Sequence, residues 1–245
     1  MNLSRFSNPL FYIGAVIFLT ACGSNGNEKA TAADSAASAD SAAKAQAANT
    51  IVTTPLNMEV VTHKVADFAK WLPSYEGHDS ARLAAGIHNY VIGRGLQDSN
   101  VVMIALKVDD TTRAKAFAKD PGLKAAMKKG GVLGVPTIAI VTATWQDTAK
   151  IESTLRSRAE YMVKDWDTWL KEFNDGKHER MDNGIVDRVV GHDLDDNKKV
   201  YVVTAITDSA KAFAYYKSDA LKKRLLASGV IGEPDRFIFQ IVKHY

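Results

Sequence analysis

The chain has 245 residues, 46% hydrophobic and 24% charged, and its 31 Lys+Arg against 28 Asp+Glu leave a formal charge of +3. These values exclude a polytopic membrane protein and a wholly disordered chain, and no Lys/Arg block suggests a nucleic-acid-binding surface. One cysteine excludes an intramolecular disulfide framework and a zinc site of several thiolates.

That cysteine closes the first element. Residues 1–21 read as a signal peptide: Arg5 supplies a positive start, Leu10 to Leu19 an apolar run too short to span a bilayer as a helix, and then comes Leu19-Thr20-Ala21-Cys22. The tetrapeptide resembles a bacterial lipobox, which implies cleavage before Cys22, acylation of that residue (palmitate among the chains) and a membrane partner through the lipid. The expected location is the bacterial cell envelope, on the periplasmic or outer-membrane face. Residues 22–50 hold no aromatic and no branched aliphatic residue. Such a segment buries too little surface to offset chain entropy and reads as an Ala/Ser-rich tether.

A repeat organises the rest. Shifting the chain by 98 residues aligns Val65–Pro136 with Val163–Pro234 without a gap, and about 22 of the 72 pairs are identical. Trp71/Trp169, Arg82/Arg180, Gly86/Gly184, Gly93/Gly191 and Gly134/Gly232 are among them. The repeats span residues 51–150 and 151–245.

Each repeat reads as strand, helix, strand, strand, helix, strand. Met58–Lys64 and Leu155–Met162 are the first strands. Phe68, Trp71, Leu72 and Tyr75, matched by Trp166, Trp169, Leu170 and Phe173, form an i, i+3, i+4, i+7 stripe that predicts a helix capped by Asp67 or Asp165. Pro73 is expected to kink or shorten the first of these. Gly86 and Gly184 break the chain before the β-rich runs Ile87–Arg94 and Ile185–His192, and Val101–Val108 and Val200–Ile206 complete hairpins. A second helix runs from a cap at Asp110 or Asp208 to Gly131 or Gly229, and a last strand covers Thr137–Thr144 or Arg236–Val242. Two βαβ crossovers sharing one antiparallel sheet give a ferredoxin-like unit. Such a sheet has one bare face, which the second copy would cover. The predicted fold class is therefore α+β: two tandem ferredoxin-like repeats packed as a pseudo-dimeric α/β barrel, monomeric in assembly.

The residues D-[FW]-x-x-W-L, R-x-x-x-G-I, L-x-D and L-K followed by G-V-x-G-x-P, each present twice, resemble the dimeric α/β-barrel superfamily and its antibiotic-biosynthesis-monooxygenase-like members. The resemblance implies that fold over about residues 56–245, with activities in the superfamily ranging from monooxygenases to haem-handling and regulatory proteins. It also invites comparison of Trp71, Trp169 and Asn57 with residues of cofactor-independent monooxygenases, although the apolar helical stripe makes core packing the expected role of both tryptophans. Haem-degrading members carry a His on the second helix, and neither copy has one there. No cofactor is expected, and His63, His78, His88, His178, His192 and His244 show no metal-ligand spacing.

Alternation on the second strand sets Ile87, Val91 and Gly93 on one face and His88, Tyr90, Ile92 and Arg94 on the other, with Arg188 and His192 on the matching face of the second copy. With His63 these polar residues (His88, Tyr90, Arg94, Arg188, His192) form the candidate ligand pocket; satisfied contacts inside the barrel are the competing explanation. The leading functional expectation is a membrane-anchored lipoprotein presenting a tandem barrel that binds a small ligand or partner. The alternatives are a cofactor-independent monooxygenase-like enzyme acting on a small aromatic substrate, and an envelope scaffold.

Overall fold

The computed structural model describes residues 50–245, so the predicted signal peptide, Cys22 and almost all of the tether lie outside the described residues. In chain order the elements are β1 (Ile51–Val52), β2 (Leu56–Val65), α1 (Phe68–Glu76), α2 (Asp79–Ala84), β3 (Ile87–Gly95), β4 (Val101–Val108), α3 (Thr111–Phe117), α4 (Pro121–Lys129) and β5 (Val132–Asp147). The second half repeats them as β6 (Leu155–Val163), α5 (Trp166–Asp175), α6 (Lys177–Asp182), β7 (Ile185–Asp193), β8 (Lys199–Ile206), α7 (Ser209–Tyr216), α8 (Asp219–Ala227) and β9 (Val230–His244). No helix among the described residues is long and apolar enough to cross a membrane.

Helix entry follows local chemistry. Asp67, Asp110, Asp165 and Asp208 each accept a hydrogen bond from a backbone N–H of the first turn they precede, pairing donors that would otherwise be lost. Each predicted helix is in fact two. The chain breaks α1 from α2 at Gly77, and Asp120 caps a new helix with Pro121 at its first position, a site where the missing N–H costs nothing. Pro73 sits inside α1 without ending it; α1 has 9 residues and α5 has 10. The last strands begin earlier than predicted, directly after Gly131 and Gly229, because β5 and β9 continue through an irregularity at Gly134 and Gly232, where φ is +72° and +74°.

The strands form one antiparallel sheet in the order β1-β5-β2-β4-β3-β9-β6-β8-β7, and β7 pairs back onto β5. Setting aside the short β1, the remaining eight strands close. The two seams between halves are β3 with β9 and β5 with β7, which are equivalent under the 98-residue shift. Closure leaves two kinds of interior: a barrel lumen facing neither helix layer, and a helix-side core in each half. In the first half that core is built on Val65, Trp71, Ile87, Ile92, Val102 and Ile104.

One sequence expectation fails for a definable reason. Pairing of β3 with β4 slips between Asn89 and Val91, and that of β7 with β8 slips between Asp187 and Val189. These β-bulges break the period of two, so Ile87 and Ile92 both join the helix-side core while Tyr90 and Val91 both line the lumen. The predicted face of His88, Tyr90, Ile92 and Arg94 is therefore not one face.

Candidate functional site

In the first half a cavity of about 70 Å³ lies between the sheet and the helices. Strand β2 supplies its floor: Glu59, Val61 and His63 alternate onto this side, while Met58 and Val60 line the lumen. Trp71 and Tyr75 on α1 and Arg82 on α2 form one wall, and Phe117, Leu123 and Met127 from α3 and α4 form the other. Met127, with an unbranched side chain that repacks readily, suits a wall that gives way to a ligand.

Three charged or titratable groups are buried here. Glu59 is 5% exposed and its Oε2 has no hydrogen-bond partner; burial pushes its carboxyl up to about 7. His63 is 7% exposed, both ring nitrogens lack partners, and burial holds the imidazole down at about 4. Near neutral pH the cavity thus presents a neutral imidazole and a carboxyl poised between its two forms. Arg82 is 4% exposed, lies 3.8 Å over the Tyr75 ring, touches Asp79 at 3.4 Å and leaves Nε unbonded. The Tyr75 hydroxyl donates to Asn89 at 2.5 Å, and the Asn89 amide donates to Asp79 at 2.5 Å. Trp71 stacks on Tyr75 with centroids 4.9 Å apart and meets His63 edge-on at 5.5 Å. The tryptophan is core, 3% exposed, as its stripe predicts, and it is also cavity wall.

The second copy shows what this site becomes when it is closed. Glu59 and His63 correspond to Ser157 and Tyr161, Phe117 and Ala118 to Tyr215 and Tyr216, and Ile138 to Arg236. The equivalent space is about 30 Å³, narrowed by Tyr161, Tyr215, Tyr216 and Arg236. Arg180, the match of Arg82, forms a two-bond ion pair with Asp187 at 2.8 and 2.7 Å. In the first half Asn89 replaces that aspartate, so the Arg82 charge is left without its buried counterion. Of the two equivalent cavities the first-half one is the larger, and it holds an unpartnered carboxylate oxygen and imidazole where the second holds unpartnered hydroxyls of Thr204, Tyr215 and Tyr216.

A buried imidazole with both nitrogens unpaired destabilises the fold. Replacing His63 by Phe is expected to raise the unfolding free energy by about 1 kcal/mol near pH 8. The gain grows toward pH 5, because the unfolded chain takes up a proton near 6.5 that the folded imidazole refuses until about 4. Urea titrations at the two pH values measure both; a loss of stability at either would mean that His63 is a structural residue.

The six sequence-predicted pocket residues are dispersed. His63 lines the helix-side cavity, whereas Tyr90 and Arg188 line the lumen. His88 is on the surface, paired with Asp109 at 2.7 Å. Arg94 donates to the Ser99 carbonyl at 2.6 Å and stacks over Phe68. His192 bonds the Asp193 carbonyl at 2.8 Å and packs edge-on against Trp166. Asn57 accepts from Thr142 at 3.0 Å and lines neither cavity. The sequence pattern does not single out Glu59, Tyr75 or Arg82 as site residues. Comparing the two copies at positions 59 and 157 exposes the signal: a carboxylate in a strand whose partner copy needs none.

No family model and no curated protein matches the chain. Solved structures do. An anthrone oxidase-like protein aligns with TM-score 0.56 at 14% identity, over 80% of this chain and 95% of its own. A candidate monooxygenase from Fusobacterium nucleatum subsp. nucleatum ATCC 25586 aligns with TM-score 0.52 at 12% identity, over 78% and 94%. A ferredoxin-fold protein related to antibiotic biosynthesis monooxygenases, from Listeria monocytogenes 4b F2365, aligns with TM-score 0.44 at 8% identity, over 78% and 97%. The chain has the ferredoxin-like dimeric α/β-barrel fold. At these identities the likeness is one of fold. The expectation that placed a membrane-presented ligand- or partner-binding module first is corrected: the solved structures that share this fold are named as a monooxygenase and an anthrone oxidase-like protein, not as binding modules.

Proposed function

We propose that the first-half cavity is the active site of a cofactor-independent oxygenase acting on a small, acidic-hydrogen aromatic compound, a phenol or an enolisable ring ketone. The observation that carries this reading is Glu59, a buried carboxyl held near pKa 7 beside an aromatic wall and an undercompensated arginine. A general base is most effective when its pKa lies near the working pH. Glu59 takes the proton, and Arg82 stabilises the resulting oxyanion. The electron-rich carbanion form of the substrate then reduces dioxygen. For a ring methylene, or a ring C–H para to a phenol hydroxyl, the balance is one dioxygen consumed, one oxygen atom placed on carbon as a carbonyl, and the other released as water with the two hydrogens lost. His63, neutral in the folded protein, is placed to give or accept one hydrogen bond without adding charge. Oxygen uptake above the buffer rate, with a phenol unsubstituted at its para carbon and an enolisable ring ketone as probes, tests the proposal. Uptake no faster than buffer with either, or uptake unchanged in Arg82→Met, overturns it.

The enzyme is further proposed to be held at the bacterial envelope by lipid on Cys22, on the support of Leu19-Thr20-Ala21-Cys22 and the apolar run before it. Acyl chains contribute about 0.8 kcal/mol per buried methylene, so two or more give durable attachment. Cys22→Ser is expected to move the protein from the membrane to the soluble fraction on cell fractionation; retention in the membrane fraction would rule the anchor out. Closure of both seams on one chain supports a monomer, which light scattering of the Cys22→Ser protein checks. An obligate dimer counts against it.

A further inference from the structure

The lumen is a second cavity, of about 120 Å³, and the repeat makes its construction readable. Nearly every lining residue has its counterpart 98 positions away also in the lining. Val91 pairs with Val189, Ala105 with Val203, Val141 with Phe239, and Ala143 with Ile241, all apolar in both copies. Three pairs break that rule in the same direction. Met58, Val60 and Tyr90 in the first copy become Arg156, Arg158 and Arg188 in the second. One wall is apolar and the wall related to it by the repeat is cationic.

Two of the arginines, Arg156 and Arg188, are poorly compensated. Arg156 is 7% exposed and its Nη1 donates only to the carbonyls of Ser153 and Leu155, at 2.6 and 3.0 Å. Arg188 donates Nη2 to the Ala149 carbonyl at 2.6 Å; its Nη1 stands 3.3 Å from Asp147 without hydrogen-bond alignment. Arg158 is the better compensated of the three, reaching Asp235 at 2.9 Å and Glu160 at 3.8 Å, and leaves only Nε unbonded. Asp147 is the one carboxylate among the residues lining the lumen. Burial and the neighbouring Arg188 charge both disfavour the charged form of Arg156. Each buried ion costs several kcal/mol unless it is paired and fully bonded, and an apolar residue of like volume is usually as good or better for stability. The first copy has those apolar residues. Arg156 and Arg188 are therefore held at a stability cost, and what they lack is negative charge.

We propose that the lumen binds a small organic anion, with a carboxylate gripped by Arg156, Arg158 and Arg188 and an apolar body resting on Met58 and Val60. Planar guanidinium forks suit a carboxylate. A cavity of roughly 150 Å³ accepts one benzene ring, so the size here corresponds to about one ring. The site is separate from the helix-side cavity and does not depend on its proposed chemistry.

Benzoate is the probe, with benzyl alcohol as its neutral analogue, titrated calorimetrically into the full-length chain at low salt. Saturable one-to-one binding of benzoate is expected, at least tenfold tighter than benzyl alcohol. Arg156→Met and Arg158→Val, which install the residues found in the first copy, are expected to weaken it at least tenfold while leaving the protein folded. Arg82→Met is expected to leave it unchanged. If either lumen variant fails to fold, Arg188→Lys, which keeps the charge and loses the fork, is expected to weaken benzoate severalfold. Absence of benzoate binding to the wild type overturns the proposal. So does equal affinity for benzyl alcohol, or loss of binding in Arg82→Met with the lumen variants unaffected, which would place the anion in the helix-side cavity.

Discussion

Glu59→Gln is expected to lower oxygen uptake with an active aromatic substrate by roughly 10²- to 10⁴-fold, the range general-base removal produces. The wild-type pH profile carries a second signature. A base works in its deprotonated form, so kcat/KM should rise with pH through about 7, and that limb should vanish in the glutamine variant. Stability should move the other way. A carboxyl raised from 4.5 to about 7 by burial is favoured in its protonated form by the fold. Its contribution is intact below 4.5 and is lost as pH rises through about 7. At about 1.4 kcal/mol per pKa unit, the ionised Glu59 costs up to about 3 kcal/mol near pH 8, and glutamine removes that charge. Turnover lost together with a urea midpoint that holds or rises identifies a chemical role. Turnover retained, or a flat profile in both proteins, removes Glu59 from the mechanism.

Gly191→Ala should cost roughly 3 kcal/mol, at the upper end of overpacking. Gly191 lies on the β5–β7 seam, where an added Cβ would collide with the Thr142 carbonyl oxygen and stand 2.9 Å from the Cα of Ala143. These are backbone atoms and cannot rotate away. At about 2–4 °C per kcal/mol for a domain of this size, the melting temperature should fall by roughly 6–12 °C. Gly134→Ala is the comparator: φ there is +72° but nothing lies within 4 Å of the new Cβ, so only strain of about 1 kcal/mol is added. A loss at Gly191 no larger than at Gly134 would mean that the seam tolerates separation. Gly93, the matching glycine on the β3–β9 seam, is crowded by the Phe239 ring instead, and an aromatic side chain has more freedom to yield.

The two seam glycines are legible in the sequence as an identical pair, as are the capping aspartates and the Trp71 and Trp169 stripes, because a duplicated fold retains backbone geometry and core. Boundaries set by competing local chemistry are less legible. Asp120-Pro121 is a strong helix start inside a segment whose apolar spacing reads as one helix. The polar sites are hardest, for a geometric reason. A bulge at Tyr90 or Arg188 leaves no mark on composition, yet it reverses which neighbours share a face. An alternation argument carried across it joins Tyr90, in the lumen, to Arg94, which stacks on Phe68 at the helix side. Glu59 is inconspicuous because one carboxylate in a strand resembles an edge position until the neighbouring helices are known to cover it.

The paired seams also bear on how the chain folds. Each half can form its own hairpins and helix packing from nearby residues, but β3 meets β9 only after most of the chain has been made. Non-local pairings of this kind close late and slowly. Until they close, β3, β5, β7 and β9 each expose an unpaired edge, and residues 148–154 join the halves with no strand or helix. Two chains at high concentration can satisfy the same four edges by exchanging halves across that link, so dilution during refolding selects the monomer, and crowding during synthesis works against it.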